Sequence, residues 1–111
     1  MRKREYLGQL ELMVLLVVAA RRAEAYGVSI GRDIAQKSGR EVALASVYAA
    51  LERLACKGLV ASSLGEPIAE RGGKARMYFS ATAAGLRAAQ AACSTLQRLS
   101  AGLLVGEQRV A

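Results

Sequence analysis

Apolar residues recur along this chain with two different periods, and the switches between them outline six elements. Residues 7–25 are apolar almost all round. Leu12, Leu15, Leu16 and Ala19 form one stripe, and Met13, Val14, Val17 and Val18 fill the other sides. A helix of that kind is covered on more than one face. The first helix is therefore expected to be central, with one face for its own core and another for a second subunit. Tyr26-Gly27 breaks it, and a shorter helix is predicted over residues 29–38. That helix turns Ile30 and Ile34 inward and Arg32, Asp33, Gln36 and Lys37 outward, and Gly39 ends it. Residues 40–43 form a turn.

The third helix covers residues 45–57. Val47, Leu51 and Leu54 stand at i, i+4 and i+7, flanked by Tyr48 and Ala55, while Ser46, Ala49, Arg53 and Lys57 lie opposite. Gly58 supplies a left-handed helix end. Two short helices joined by a tight turn, the second with a small and basic outer face, make a helix-turn-helix pattern. Such a helix fits a groove of DNA.

The period then changes to two. Residues 59–64 read as a strand that Gly65-Glu66-Pro67 disrupts, and residues 69–74 read as a loop turning at Gly72-Gly73. Residues 75–80 form a return strand, with Ala75, Met77 and Phe79 alternating against Arg76, Tyr78 and Ser80. Arg71, Lys74 and Arg76 lie at and beside the hairpin tip, as in a wing that follows the phosphate backbone. Thr82 is placed to cap a last helix over residues 83–104. Leu86, Ala89, Cys93, Leu96, Ser100 and Leu103 are spaced 3-4-3-4-3, the seam of a coiled coil. The expected fold is mainly α with a small β-hairpin: a winged helix-turn-helix plus a C-terminal dimerisation helix. Residues 1–81 would form the DNA-binding domain, including a basic arm of Arg2, Lys3 and Arg4, and residues 82–111 the dimerisation helix.

Composition narrows the chemistry. The chain has 111 residues, which suits one domain with a modest core of Ala, Leu and Val. Sixteen Lys/Arg against nine Asp/Glu leave a net charge of +7, a balance that suits a polyanionic partner. With no histidine, histidine-based triads and dyads are excluded, and two cysteines give no recognisable zinc-ligand set. No Walker loop, dinucleotide fingerprint or paired carboxylates occur. Neither enzymatic activity, a cofactor nor a metal is expected. Cys56 and Cys93 read as reduced thiols of a cytoplasmic protein. The apolar run of residues 12–20 is too short to span a membrane, and Arg21-Arg22-Ala23-Glu24 stands where a leader would be cleaved, so neither leader nor anchor is expected.

Three stretches carry a resemblance. They are Tyr26-Gly27-Val28-Ser29-Ile30, then residues 46–54 followed by Lys57-Gly58-Leu59-Val60, then Tyr78-Phe79-Ser80-Ala81-Thr82-Ala83-Ala84-Gly85. In this order and spacing the chain resembles the PadR family of bacterial transcriptional regulators over about residues 7–100. The resemblance implies a homodimeric repressor on a palindromic double-stranded operator, with the recognition helix in the major groove and wings on the flanking backbone. It implies that the Tyr48 hydroxyl reaches a phosphate while its ring packs on the domain. It also implies a small hydrophobic effector between subunits. The sequence departs from the family where Ala49 replaces a usual proline, Ala43 a capping Ser or Thr, and Ala81 a leucine. The absence of tryptophan removes one means of stacking on an effector.

The DNA contacts expected from both arguments are Ser46, Tyr48, Ala49, Arg53 and Lys57 on the helix and Arg71, Lys74 and Arg76 on the wing. Ser46 and Ala49 permit close approach, and Arg53 and Lys57 suit phosphates. Two other readings fit the residues. One is a thiol-responsive regulator, with Cys93 on the seam and Cys56 near the end of the recognition helix. The other is a winged-helix module that binds a protein and no operator.

Overall fold

A central helix organises the structure, a computed structural model that describes residues 7–22, 24–67 and 75–106. The order is α1 (Gln9–Arg21), α2 (Gly27–Ser38), α3 (Leu44–Cys56), β1 (Val60–Pro67), β2 (Ala75–Ala81) and α4 (Ala83–Gly106). α1 packs against α2, α3, α4 and β2, which is why its sequence is apolar on every side. Val14, Leu15 and Val18 are fully buried at the centre. Around them lie Ile30 and Ile34 of α2, Val47, Ala50, Leu51 and Leu54 of α3, Val60 of β1 and Ala89 of α4.

α1 is shorter than its apolar pattern predicts. It stops at Arg21, and Arg22 turns the chain with φ 61° and ψ −115°. The segment after it is needed elsewhere. Phe79 N–H of β2 donates to the Ala25 carbonyl at 2.8 Å, adding a bridge beside the hairpin. A tertiary hydrogen bond thus ends a helix that local propensity would extend. A positive φ is unfavourable for a residue with a side chain and costs about 1 kcal/mol or more. Arg22→Gly should therefore raise the thermal midpoint by a few degrees, read by circular dichroism. A lower midpoint would mean that the Arg22 turn stores no strain.

α2 starts at Gly27, two residues earlier than predicted, because Ser29 folds back on the preceding backbone. Its hydroxyl accepts from Tyr26 N–H at 3.0 Å and donates to the Tyr26 carbonyl at 2.9 Å. α3 begins after Ala43, whose methyl offers no capping bond. Its other end is closed by backbone alone. Gly58 N–H reaches the Ala55 carbonyl and Leu59 N–H the Leu54 carbonyl, each at 2.9 Å, with Gly58 at φ 75°. This paired closure turns the chain directly into β1.

β1 and β2 form a two-stranded antiparallel sheet with Val60 opposite Ala81, Ser62 opposite Phe79 and Leu64 opposite Met77. The sequence suggests that Gly65-Glu66-Pro67 ends the first strand. Instead, the register shifts between Leu64 and Pro67 and pairing resumes at Pro67 opposite Ala75. A bulge absorbs a residue that ladder geometry cannot pair, and an edge strand tolerates proline.

Thr82 joins the hairpin to α4. Its hydroxyl accepts from Gly85 N–H at 3.0 Å and donates to the Gly58 carbonyl at 2.7 Å, while Thr82 N–H bonds the Leu59 carbonyl at 3.0 Å. One residue therefore caps α4 and ties it to the turn after α3. Gly85 is buried against the Leu59 backbone, with no room for a side chain. α4 continues to Gly106, two residues past the predicted end.

Candidate nucleic-acid interface

α3 is held on one face and open on the other. Val47, Ala50, Leu51 and Leu54 anchor it in the core. Ala50 completes the buried stripe, and Tyr48 and Ala55, which flank it in the sequence, are both exposed. Ala45, Ser46, Tyr48, Glu52, Arg53 and Cys56 reach solvent, while Ala49 is half-buried. The Tyr48 ring lies against Gly27 at the start of α2, where a methyl group would collide with it. Its position therefore depends on the absence of a side chain at Gly27.

Arg53 and Lys57 occupy one flank of α3, at i and i+4, and share one carboxylate. Arg53 Nε donates to Glu11 Oε2 at 2.5 Å, and Lys57 Nζ to Glu11 Oε1 at 2.8 Å. Glu11 lies in the first turn of α1 and its side chain is only 10 % exposed. The hydrogen bond from Lys57 and then that from Arg53 hold its carboxyl below the ordinary glutamate value, against the opposing effect of burial. Asp33 is lowered in the same way by Arg21, whose Nε lies 2.8 Å from Oδ2. A depressed folded pKa means that the stabilisation is complete above the unfolded value and is lost as pH falls through the folded one. Urea midpoints should therefore drop as pH falls below the ordinary carboxylate range, and Glu11→Gln should flatten that drop. An identical acid limb in the variant would remove Glu11 from the linkage.

The hairpin carries a further cation. Arg76, expected as a wing contact, is half-buried, and its guanidinium carbon lies 4.0 Å from the centre of the Tyr26 ring. Tyr78 meets Tyr26 edge to face at 5.8 Å. Arg76 Nε has no hydrogen-bond partner among the described residues, and the ring face supplies the compensating attraction. The stack ties the loop-side half of β2 to the residue that precedes α2. Between α3 and the hairpin lies a groove of about 490 Å³, walled by Ala45, Tyr48 and Ala49 on one side and Ser62 and Phe79 on the other. Arg71 and Lys74, like the arm of Arg2, Lys3 and Arg4, lie outside the described residues.

The six seam positions on α4 occupy different environments. Ala89 is buried against the protein's own core. Leu86, Cys93, Leu96 and Leu103 are exposed and Ser100 is half-buried. The open apolar stripe is Leu96, Leu99 and Leu103, exposed by 49 %, 76 % and 74 %. Leu99 is not among the predicted seam positions, although its 3-4 spacing between Leu96 and Leu103 is visible in the pattern. Glu11 likewise stands outside the predicted site residues. The available signal was a lone carboxylate in an otherwise apolar helix. Cys56 and Cys93 are both free, exposed thiols. No helix among the described residues is long and apolar enough to cross a membrane.

Comparisons with known proteins agree with this architecture. No curated protein matches the sequence significantly. Solved structures do match. A PadR family transcriptional regulator from Eggerthella lenta is 28 % identical, with 85 % of this chain and 83 % of that one covered and a TM-score of 0.64. A PadR-like regulator from Bacillus cereus is 21 % identical, with 85 % and 86 % covered and a TM-score of 0.71. A transcriptional regulator from Clostridium thermocellum is 20 % identical, with 85 % of each chain covered and a TM-score of 0.67. The model of the transcriptional regulator PadR-like family matches residues 14–91, which span the helix-turn-helix, the hairpin and the start of α4. The chain belongs to the PadR-like family of transcriptional regulators.

Proposed function

We propose that the protein is a homodimeric repressor that places two copies of α3 in successive major grooves of a palindromic operator. The observation that carries this reading is the uncovered leucine stripe on α4. Three leucines at 3-4 spacing exposed to water on a long terminal helix are unfavourable in a monomer and suit the seam between two copies. A two-fold axis there would hold two reading helices about 34 Å apart, the distance between equivalent grooves. Apolar grooves of about 380 Å³ flank α4 where it crosses α1. Leu16, Ala19 and Cys93 line one, and Leu12, Ala92 and Leu96 the other. A partner helix would bury much of both, and a small hydrophobic effector lodged in what remains would change the spacing of the reading helices and release DNA.

Domain division follows from the same reading, with residues 1–81 contacting DNA and residues 82–111 setting the dimer. Ser46, Tyr48, Ala49, Arg53 and Lys57 would face the duplex from α3, joined by Arg71, Lys74 and Arg76 from the hairpin. Three or four phosphate contacts per subunit would give a slope of log K against log salt of about −5 to −7. The test is titration of a labelled duplex, selected from a random-sequence library, at several salt concentrations. Arg53→Ala with Lys74→Ala should weaken binding and flatten the slope by about 3 to 4 units per dimer. An unchanged slope would exclude both residues from the interface, and failure of the native protein to bind any duplex at low salt would exclude the regulator reading.

A further inference from the structure

Glu11 lies on α1, away from the exposed face of α3, yet it holds Arg53 and Lys57, the two cations proposed above to meet DNA from α3. Its two oxygens are divided between them, Oε2 to Arg53 Nε and Oε1 to Lys57 Nζ. The carboxylate is nearly buried, whereas the Arg53 side chain is 54 % exposed. Anchoring a guanidinium through Nε leaves its other edge free. Arg53 Nη1 and Nη2 make no hydrogen bond among the described residues. That end-on pair is a fork suited to guanine O6 and N7 or to two phosphate oxygens. An arginine held in this way has already lost much of the side-chain freedom that it would otherwise lose on binding. Lys57 is affected differently. Its charge is matched by Glu11, so it adds less to indiscriminate attraction for phosphates.

We propose that Glu11 is a specificity-determining positioning residue, which presents the Nη1–Nη2 edge of Arg53 to DNA in one geometry and withholds the charge of Lys57 from non-specific phosphate binding. The proposal rests on the regulator reading above, and it predicts that removing the carboxylate loosens discrimination while strengthening non-specific affinity. A structural role alone would lower stability and reduce both kinds of binding together.

The experiment compares two duplexes, one selected from a random-sequence library by the native protein and one with the same composition scrambled. Glu11→Gln should bind the scrambled duplex more tightly. Its salt slope there should steepen by about 2 per dimer as two Lys57 charges are released. The ratio of selected to scrambled affinity should fall at least about tenfold. Glu24→Gln is the charge-matched control, because Glu24 is exposed and makes no ion pair among the described residues. Equal effects from the two variants would overturn the proposal by assigning the change to net charge. So would an unchanged affinity ratio in a folded Glu11→Gln protein. If Glu11→Gln fails to fold, Arg53→Lys decides. It keeps the charge but loses the fork, and the ratio should fall, whereas an unchanged ratio overturns the proposal. Failure of the native protein to select any duplex is a separate outcome, which defeats the regulator reading and this proposal with it.

Discussion

Replacing Gly85 with alanine is expected to lower stability by about 3 kcal/mol, at the upper end of overpacking effects. The new methyl group would fall on the Leu59 carbonyl and the backbone next to it. A flexible side chain could turn aside, but this backbone cannot move freely. Leu59 follows the glycine closure of α3, its carbonyl accepts from Thr82 N–H, and its N–H is bonded to Leu54. The same displacement would lengthen the bonds that join Thr82 to Gly85 and Gly58. Core, helix cap and hairpin would be disturbed together. Chemical denaturation should show a large drop in midpoint with little change in slope. A midpoint within experimental error of the native value would mean that α4 does not approach Leu59 this closely in solution.

Glutamate at Leu96 and Leu99 together is expected to convert the protein to a monomer and to weaken operator binding by at least about a hundredfold. Both leucines are exposed in a single copy, so two charges there cost the isolated fold little. A symmetric seam would gather the charges of both subunits into one apolar interface, and like charges there oppose association. Without the dimer the second reading helix no longer binds as if intramolecular, which removes a gain of about 10² to 10⁴. Sedimentation and duplex titration on the same sample check the two parts. A variant that stays dimeric would move the interface off this stripe. A monomer with undiminished operator affinity would show that one reading head suffices.

A smaller effect is expected at the start of α3. Ala43 has φ −62° and ψ 140°, extended geometry that serine also adopts, and lacks a capping oxygen. Ala43→Ser should add about 1 kcal/mol of stability, measurable as a higher urea midpoint. No gain would mean that the first turn of α3 is already satisfied by water.

Much of this architecture is encoded in local patterning. Period 3.6 in the helices, period 2 in β2, glycines after α2 and α3 and a threonine before α4 each act within a few residues of themselves. The inward positions Ile30, Ile34, Val47, Leu51 and Leu54 follow from that spacing and are buried. The three stretches that resemble PadR regulators lie on these same elements, so family and fold could be read from the chain. Pairing across distance could not. Glu11 meets Arg53 and Lys57 over 42 and 46 residues, and no local spacing reveals which cation a buried carboxylate will hold. Arg76 reads as a free charge at the hairpin tip until Tyr26 is seen beneath it. α1 ends early because Ala25 bonds to Phe79, a partner whose location propensity does not encode. The seam on α4 divides because α1 covers Ala89 and leaves Leu96, Leu99 and Leu103 open, and heptad spacing is the same whichever helix does the covering. Periodicity reports that a face is to be buried, and only the packing of the other elements settles what buries it.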